Sequence, residues 1–164
     1  MNEPATPELL KSLAFLAHAT EEEIHSLLPA ARVETHAPGA VLFREGEPLP
    51  HVFIVASGTV ALEVLGRDHR PRRFQTVGAG ELLGWSPLLG SAPMTATARV
   101  VTDARLVALD ARAVLELCRK DPSFGFEFLR RTAAAIAARL SATRLQLLDA
   151  FRHELPVAPE GEGP

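Results

Sequence analysis

The sequence predicts an α+β domain in which a β-sandwich, jelly roll or barrel is set between helical ends. Three observations carry that reading. From Arg32 to Asp110, short apolar runs alternate with glycine and proline breaks, the texture of closely spaced strands. The flanking segments instead combine capping residues with apolar side chains at helical spacing. The chain has 164 residues, 47% of them apolar and 23% charged, which suits one buried core and is too little for two ordinary ones.

The N-terminal third predicts two short helices. Thr6 before Pro7 is an N-cap followed by proline at the first helical position, and it opens a helix over Pro7–Ala17. Thr20 and Glu23 have capping-box spacing, and Ile24, Leu27 and Leu28 supply the apolar face of a second helix. The strand region then contains Val41–Phe43, Val52–Ala56, Thr59–Leu65, Arg73–Val77, Thr95–Val101 and Leu106–Leu109. Arg67, Arg70, Arg72 and Arg73 crowd one loop with His69; this reads as a solvated hairpin tip in preference to an anion site.

After Asp110 the pattern is helical again. Asp110 caps a helix over Ala111–Lys120, and Asp121 with Pro122 repeats the cap-then-proline signal for a helix running to about Phe151. A rod of roughly 28 residues is about 42 Å long, more than one small core needs. With Leu129, Ile136 and Thr143 at heptad position a, Ala133, Leu140 and Leu147 fall at d. A β-branched a with leucine at d suits a parallel two-stranded coil, so these six residues are the expected homodimer interface; the alternative is that the stripe packs on the protein's own strands. The whole domain is expected to span 1–153, with a disordered Pro/Gly/Glu-rich tail at 154–164.

Composition excludes several functions. Seventeen basic against twenty acidic residues leave a net charge of −3, without the basic excess that non-specific nucleic-acid binding needs. A single cysteine, Cys118, rules out an internal disulfide and a thiolate zinc site. No apolar run approaches the roughly 20 residues of a membrane span, and no signal peptide opens the chain, so a cytoplasmic address is expected. The six histidines are dispersed, without the His-x-His pair of a cupin metal site. Walker, Rossmann and serine-hydrolase signatures are absent. No enzyme, metal or cofactor is expected.

One set of residues goes further. Pro38–Pro48 (PGAVLFREGEP), Phe53–Gly58 (FIVASG) and Gly80–Gly84 (GELLG) are three glycine-punctuated elements of the strand region. Together they resemble the cyclic nucleotide-binding domain shared by the catabolite-activator regulators and protein kinase A regulatory subunits, over roughly Leu10–Phe151. The resemblance implies an eight-stranded, jelly-roll-like β-roll, N-terminal helices and a long C-terminal helix. Glycine at these corners provides turns and argues for the fold only.

The resemblance also implies a phosphate-binding cassette, in which a glutamate accepts from the ribose 2′-hydroxyl and an arginine pairs with the cyclic phosphate. Aligned without a gap, this chain reads Leu83-Gly84-Trp85-Ser86-Pro87-Leu88 and then Pro93-Met94-Thr95-Ala96-Thr97. Trp85 stands at the glutamate position and Met94 at the arginine position. A thioether donates nothing to an oxyanion. Losing both contacts costs roughly 3–5 kcal/mol, about two to three decades of affinity. Arg99 lies an odd number of residues from Met94 and so faces the other side of a regular strand.

Two readings of the altered pocket stand side by side. Trp85 and Met94 line an apolar site for a flat or hydrophobic effector, with Gly84, Ser86, Thr95 and Ala96 around it; or Trp85 fills the space and nothing binds. On the long helix the resemblance places a ligand contact at Thr143, with Arg144 beside it. The expected function is a stand-alone regulatory module that senses a small-molecule effector other than ordinary cyclic AMP or GMP and signals to a protein partner, with a hinge near Cys118–Pro122. The alternatives are a ligand-free dimeric scaffold and a cyclic nucleotide binder with altered contacts. Direct DNA binding is not expected, since about a dozen residues follow Phe151 where a helix-turn-helix would stand.

Overall fold

The computed structural model describes residues 2–90 and 92–150, with the side chain of Asn2 left out. Among these residues nine strands form two antiparallel sheets that do not close into a barrel. The strands are β1 (Asn2–Pro4), β2 (Ala31–His36), β3 (Val41–Phe43), β4 (His51–Ser57), β5 (Val60–Leu65), β6 (Pro71–Val77), β7 (Leu82–Leu83), β8 (Thr97–Val100) and β9 (Ala104–Asp110). One sheet has the order β1-β2-β9-β4-β7 and the other β3-β8-β5-β6. Helices α1 (Pro7–Ser12) and α2 (Glu21–Leu27) precede β2, and α3 (Ala111–Lys120) and α4 (Pro122–Ala150) follow β9.

The alternation of side chains along β4 and β9 explains two cores. Val52 and Ile54, with Val107 and Leu109, face the helices and pack with Leu10, Ile24, Val114, Phe124 and Phe128. Phe53 and Val55, with Leu106 and Ala108, point the other way and meet Phe43, Val60, Leu62, Leu83 and Ala98 of the inter-sheet core. These two strands are buried on both faces, which is why they read as unbroken apolar runs.

The helix starts follow local chemistry. Thr6 Oγ1 accepts from the Leu9 amide at 3.3 Å, and Asp110 Oδ1 accepts from the Ala113 amide at 2.8 Å. The Thr20–Glu23 capping box is complete: the Glu23 amide donates to Thr20 Oγ1, and the Thr20 amide to Glu23 Oε2. At the start of α4, Asp121 Oδ1 accepts from the Ser123 and Phe124 amides.

One local expectation is corrected and one is extended. The helix expected over Pro7–Ala17 breaks after Ser12, where Leu13 is extended and a 3₁₀ turn over Ala14–Leu16 follows. In one straight helix Leu13 and Phe15 would lie about 200° apart at roughly 100° per residue; the break lets Leu13, Phe15 and Leu16 all enter the core. The described residues hold nine strands, the eight expected of the roll and Asn2–Pro4, which adds an edge strand to β2; Pro4 is tolerated there because an edge needs no N–H on its open side. Phe151 and the expected tail at 154–164 lie outside the described residues.

The long helix settles its own phase by packing. Phe124, Phe128, Thr132 and Arg139 are its buried large side chains, with Ala135 partly buried against the core. Phe128 meets the Phe15 ring edge-on at 5.3 Å, and Arg131 Nη1 donates to the Ala14 and Phe15 carbonyls. The predicted heptad stripe lies mostly outside this buried face, although Ile136, Leu140 and Thr143 border a cavity against the strands. Leu129, Ala133, Leu140, Thr143 and Leu147 are exposed, and Ile136 is half-buried.

Candidate functional site

A cavity of about 250 Å³ lies where sheet β3-β8-β5-β6, the β7–β8 connection and α4 meet. Its floor and walls are apolar: Phe43 from β3, Leu62 from β5, Phe74 from β6, Leu83 from β7 and Met94 before β8. The chain leaves β7 through Gly84, whose φ of +72° favours glycine and whose missing side chain leaves room for Leu49 and Phe43. Trp85 follows, and Ser86–Leu88 form a 3₁₀ turn with Pro87 at its start.

Met94 is pinned by the backbone. Its amide donates to the Glu47 carbonyl at 2.9 Å, and its carbonyl accepts from the Gly46 amide at 2.7 Å. Its side chain is buried among Phe43, Phe53 and Leu83 in the inter-sheet core. Trp85 is half-buried on the other side of the cavity.

Seven of the eight residues singled out from the sequence line this one cavity: Gly84, Trp85, Ser86, Met94, Thr95, Ala96 and Thr143. The eighth, Arg144, is exposed and outside the lining, because it lies one helical step (about 100°) beyond Thr143. Thr143 Oγ1 donates to the Arg139 carbonyl at 2.9 Å, so its proton is used within α4 while its lone pairs stay available. Arg99 faces away from the cavity, bonded to Glu63 Oε2 at 3.0 Å and to the Gly39 carbonyl at 3.2 Å.

The pocket also holds a charged residue that was not among those eight. Arg139 of α4 lines the cavity, 9% exposed, with its guanidinium 4.4 Å from the Trp85 ring centroid and its Nη2 donating to the Leu82 carbonyl. Burial pulls it below the usual guanidinium range to about 10, partly offset by the field of Glu81. It remains a full cation at neutral pH. The sequence did carry a signal for it. Steps of four, three and four residues from Phe128 reach Thr132, Ala135 and Arg139, the face that the two phenylalanines mark as inward.

Chemically, the site offers apolar walls, one indole, one cation, the amide of Gln75 and three hydroxyls, with no aspartate or glutamate in the lining. Nothing in it forms a nucleophile–base pair.

Comparison with known proteins agrees with this architecture. A cyclic nucleotide-binding domain from Methylobacillus flagellatus is similar over 94% of this chain and 86% of its own, with a TM-score of 0.78 at 17% identity. The Thermus thermophilus catabolite activator protein has a TM-score of 0.67 at 29% identity, over 84% of this chain and 63% of that one. The regulatory subunit of a cAMP-independent protein kinase A from Trypanosoma brucei has a TM-score of 0.65 at 20% identity, over 77% and 45%. Among curated protein sequences none matches. The cyclic nucleotide-binding domain family matches residues 33–121, more than half of the sequence and every strand of the roll from β3 to β9; the chain belongs to that family.

Proposed function

We propose that this domain is a non-catalytic regulatory module that takes a small organic effector, other than cyclic AMP or GMP held in the family's usual way, and passes its occupancy to a partner protein. The observation that carries this reading is the pair Trp85 and Met94 on the wall of an open cavity, where the family resemblance expects a ribose-binding carboxylate and a phosphate-binding arginine. The Trypanosoma brucei relative, described as cAMP-independent, supports use of this scaffold without cyclic AMP.

The module acts as a homodimer paired along α4. Leu129, Leu140 and Leu147 are 39%, 50% and 49% exposed in one chain, and each would contribute about 1.5–3 kcal/mol if fully buried by a second copy. Ile136, Leu140 and Thr143 belong to both the heptad stripe and the cavity lining, so a partner helix would lie over the cavity rim. Occupancy and pairing are then coupled through one surface.

Thermal shift with cyclic AMP, cyclic GMP and a panel of small metabolites tests the reading. Stabilisation by a metabolite and not by the nucleotides supports it. Cyclic AMP binding at micromolar affinity refutes the excluded-nucleotide part. The stack of Arg139 on Trp85, which fills space beside the cassette, favours a second reading, a ligand-free scaffold; a flat response across the whole panel would select it.

A further inference from the structure

Arg139 carries a positive charge about nine-tenths buried, and no carboxylate forms an ion pair with it among the described residues. Among the described residues its hydrogen bond goes to the Leu82 carbonyl, and its guanidinium stacks on the Trp85 ring. A guanidinium has five N–H donors, so one carbonyl and one aromatic face leave most of its donor capacity unused. Glu81, which shares the lining of a neighbouring cavity with it, offsets part of its burial through its field but makes no direct ion pair, its Oε2 accepting from the Gly78 amide at 2.6 Å. Burying an unpaired cation opposes folding unless something supplies the opposite charge. A counter-charge from the cavity, which Arg139 lines, would remove that penalty.

We infer that the cavity takes a small apolar organic monocarboxylate, whose carboxylate pairs with the Arg139 guanidinium while its body lies against Phe43, Leu83, Met94, Ile136 and Leu140. The inference rests on the effector-binding reading above and names the class of that effector. One cation with no acid in the lining balances a single negative charge. The edge of a guanidinium matches a carboxylate in a two-point, charge-assisted contact.

A cyclic phosphate on ribose fits less well. The cassette turn has few donors left for it: Pro87 has no N–H, and the Leu88 and Leu89 amides are bonded to the Trp85 and Ser86 carbonyls. The ribose hydroxyls would find no carboxylate acceptor, and most of the wall is hydrocarbon. The anion receptor has thus moved from the cassette to α4, and its ligand has become less polar.

The experiment uses the full chain and matched pairs: benzoate, cinnamate, 2-naphthoate and indole-3-acetate, each against its own carboxamide, with cyclic AMP alongside. Affinities are read by calorimetry on the native protein and on Arg139→Gln, whose fold is checked by circular dichroism. At least one carboxylate is expected to bind tenfold or more tightly than its amide, and Arg139→Gln is expected to abolish that preference. Amides binding as well as acids overturn the inference and leave the effector reading standing. A carboxylate preference that survives Arg139→Gln overturns it too, since another group then holds the charge. Tight binding of cyclic AMP alone overturns the inference and the exclusion of nucleotides together. If acids, amides and nucleotide all fail to bind, the effector reading falls with it. If Arg139→Gln is merely a lost latch between α4 and β7, its melting temperature falls with the acid-to-amide ratio unchanged, which also refutes the proposal.

Discussion

Gly125 sits where α4 crosses α3, and replacing it with alanine sets two effects of known sign against each other. An alanine in a helix interior is favoured over glycine by about 1 kcal/mol. A Cβ at Gly125 would, however, lie 2.6 Å from the Cys118 carbonyl oxygen and 3.0 Å from its Cα, both main-chain atoms, where ordinary contact begins at 3.4 Å. The helices must therefore separate by about 0.8 Å, the difference between 3.4 and 2.6 Å. Overpacking against atoms that cannot rotate away costs about 1–3 kcal/mol, so the clash outweighs the propensity gain. Gly125→Ala is expected to lose about 1 kcal/mol net, a fall in Tm of about 2–4 °C for a chain of this size. Differential scanning calorimetry measures it, and Trp85 emission shows whether the displaced α4 has carried Arg139 off the indole. Adding Cys118→Ala should not restore stability, because the nearest obstacles are backbone. A rise in Tm for Gly125→Ala would refute the packing argument and show that the crossing has slack.

Three other outcomes are expected. Leu140→Glu places a charge on a half-exposed position of the heptad stripe, so light scattering should shift from a dimer to a single chain at tens of micromolar with circular dichroism unchanged; a native protein that is already one chain at that concentration removes the dimer. Burial pushes the Glu34 carboxyl up, but its bonds to His36 and Arg32 outweigh that and hold it below its usual value of 4.5. Its contribution to stability is thus present above about pH 4.5 and lost as pH falls through its lower folded value. Glu34→Gln should therefore be less stable than the native protein at pH 7, with a gap that narrows in acid; a gap that widens below pH 4 contradicts this. Burial raises the Cys118 thiol above its usual range, so at pH 8.5 it should react with iodoacetamide more slowly than a free cysteine, and faster reaction would show that the α3–α4 crossing opens readily.

What was legible in the sequence is what depends on neighbours in the chain. The caps at Thr6, Thr20 and Asp110 are made with amides three residues on. The period-2 alternation of β4 and β9 is written in their own residues, and Trp85 and Met94 are recognisable because the cassette frame around them is kept. The exceptions at this level are the break at Leu13 and the edge strand Asn2–Pro4. Their reasons lie elsewhere in the molecule: one in how Leu13, Phe15 and Leu16 reach the core, the other in the free edge of β2.

The tertiary structure decided which way α4 faces. From Ala133 to Ala138 every side chain is alanine or isoleucine, so that stretch has no polar side to mark solvent and its rotation is undetermined locally. Phe128 against Phe15, Gly125 against Cys118 and Arg131 on the Ala14 and Phe15 carbonyls set the angle from one end. A rigid helix carries that angle to its next turns, burying Arg139 against Trp85 and leaving Arg144 in water. Sequence alone therefore pointed to the scaffold and to Trp85 and Met94 as the residues on which the pocket reading turns. The spacing from Phe128 put Arg139 on the inward face, but it took packing about 20 Å of helix away (14 residues at 1.5 Å each) to aim that face at the pocket.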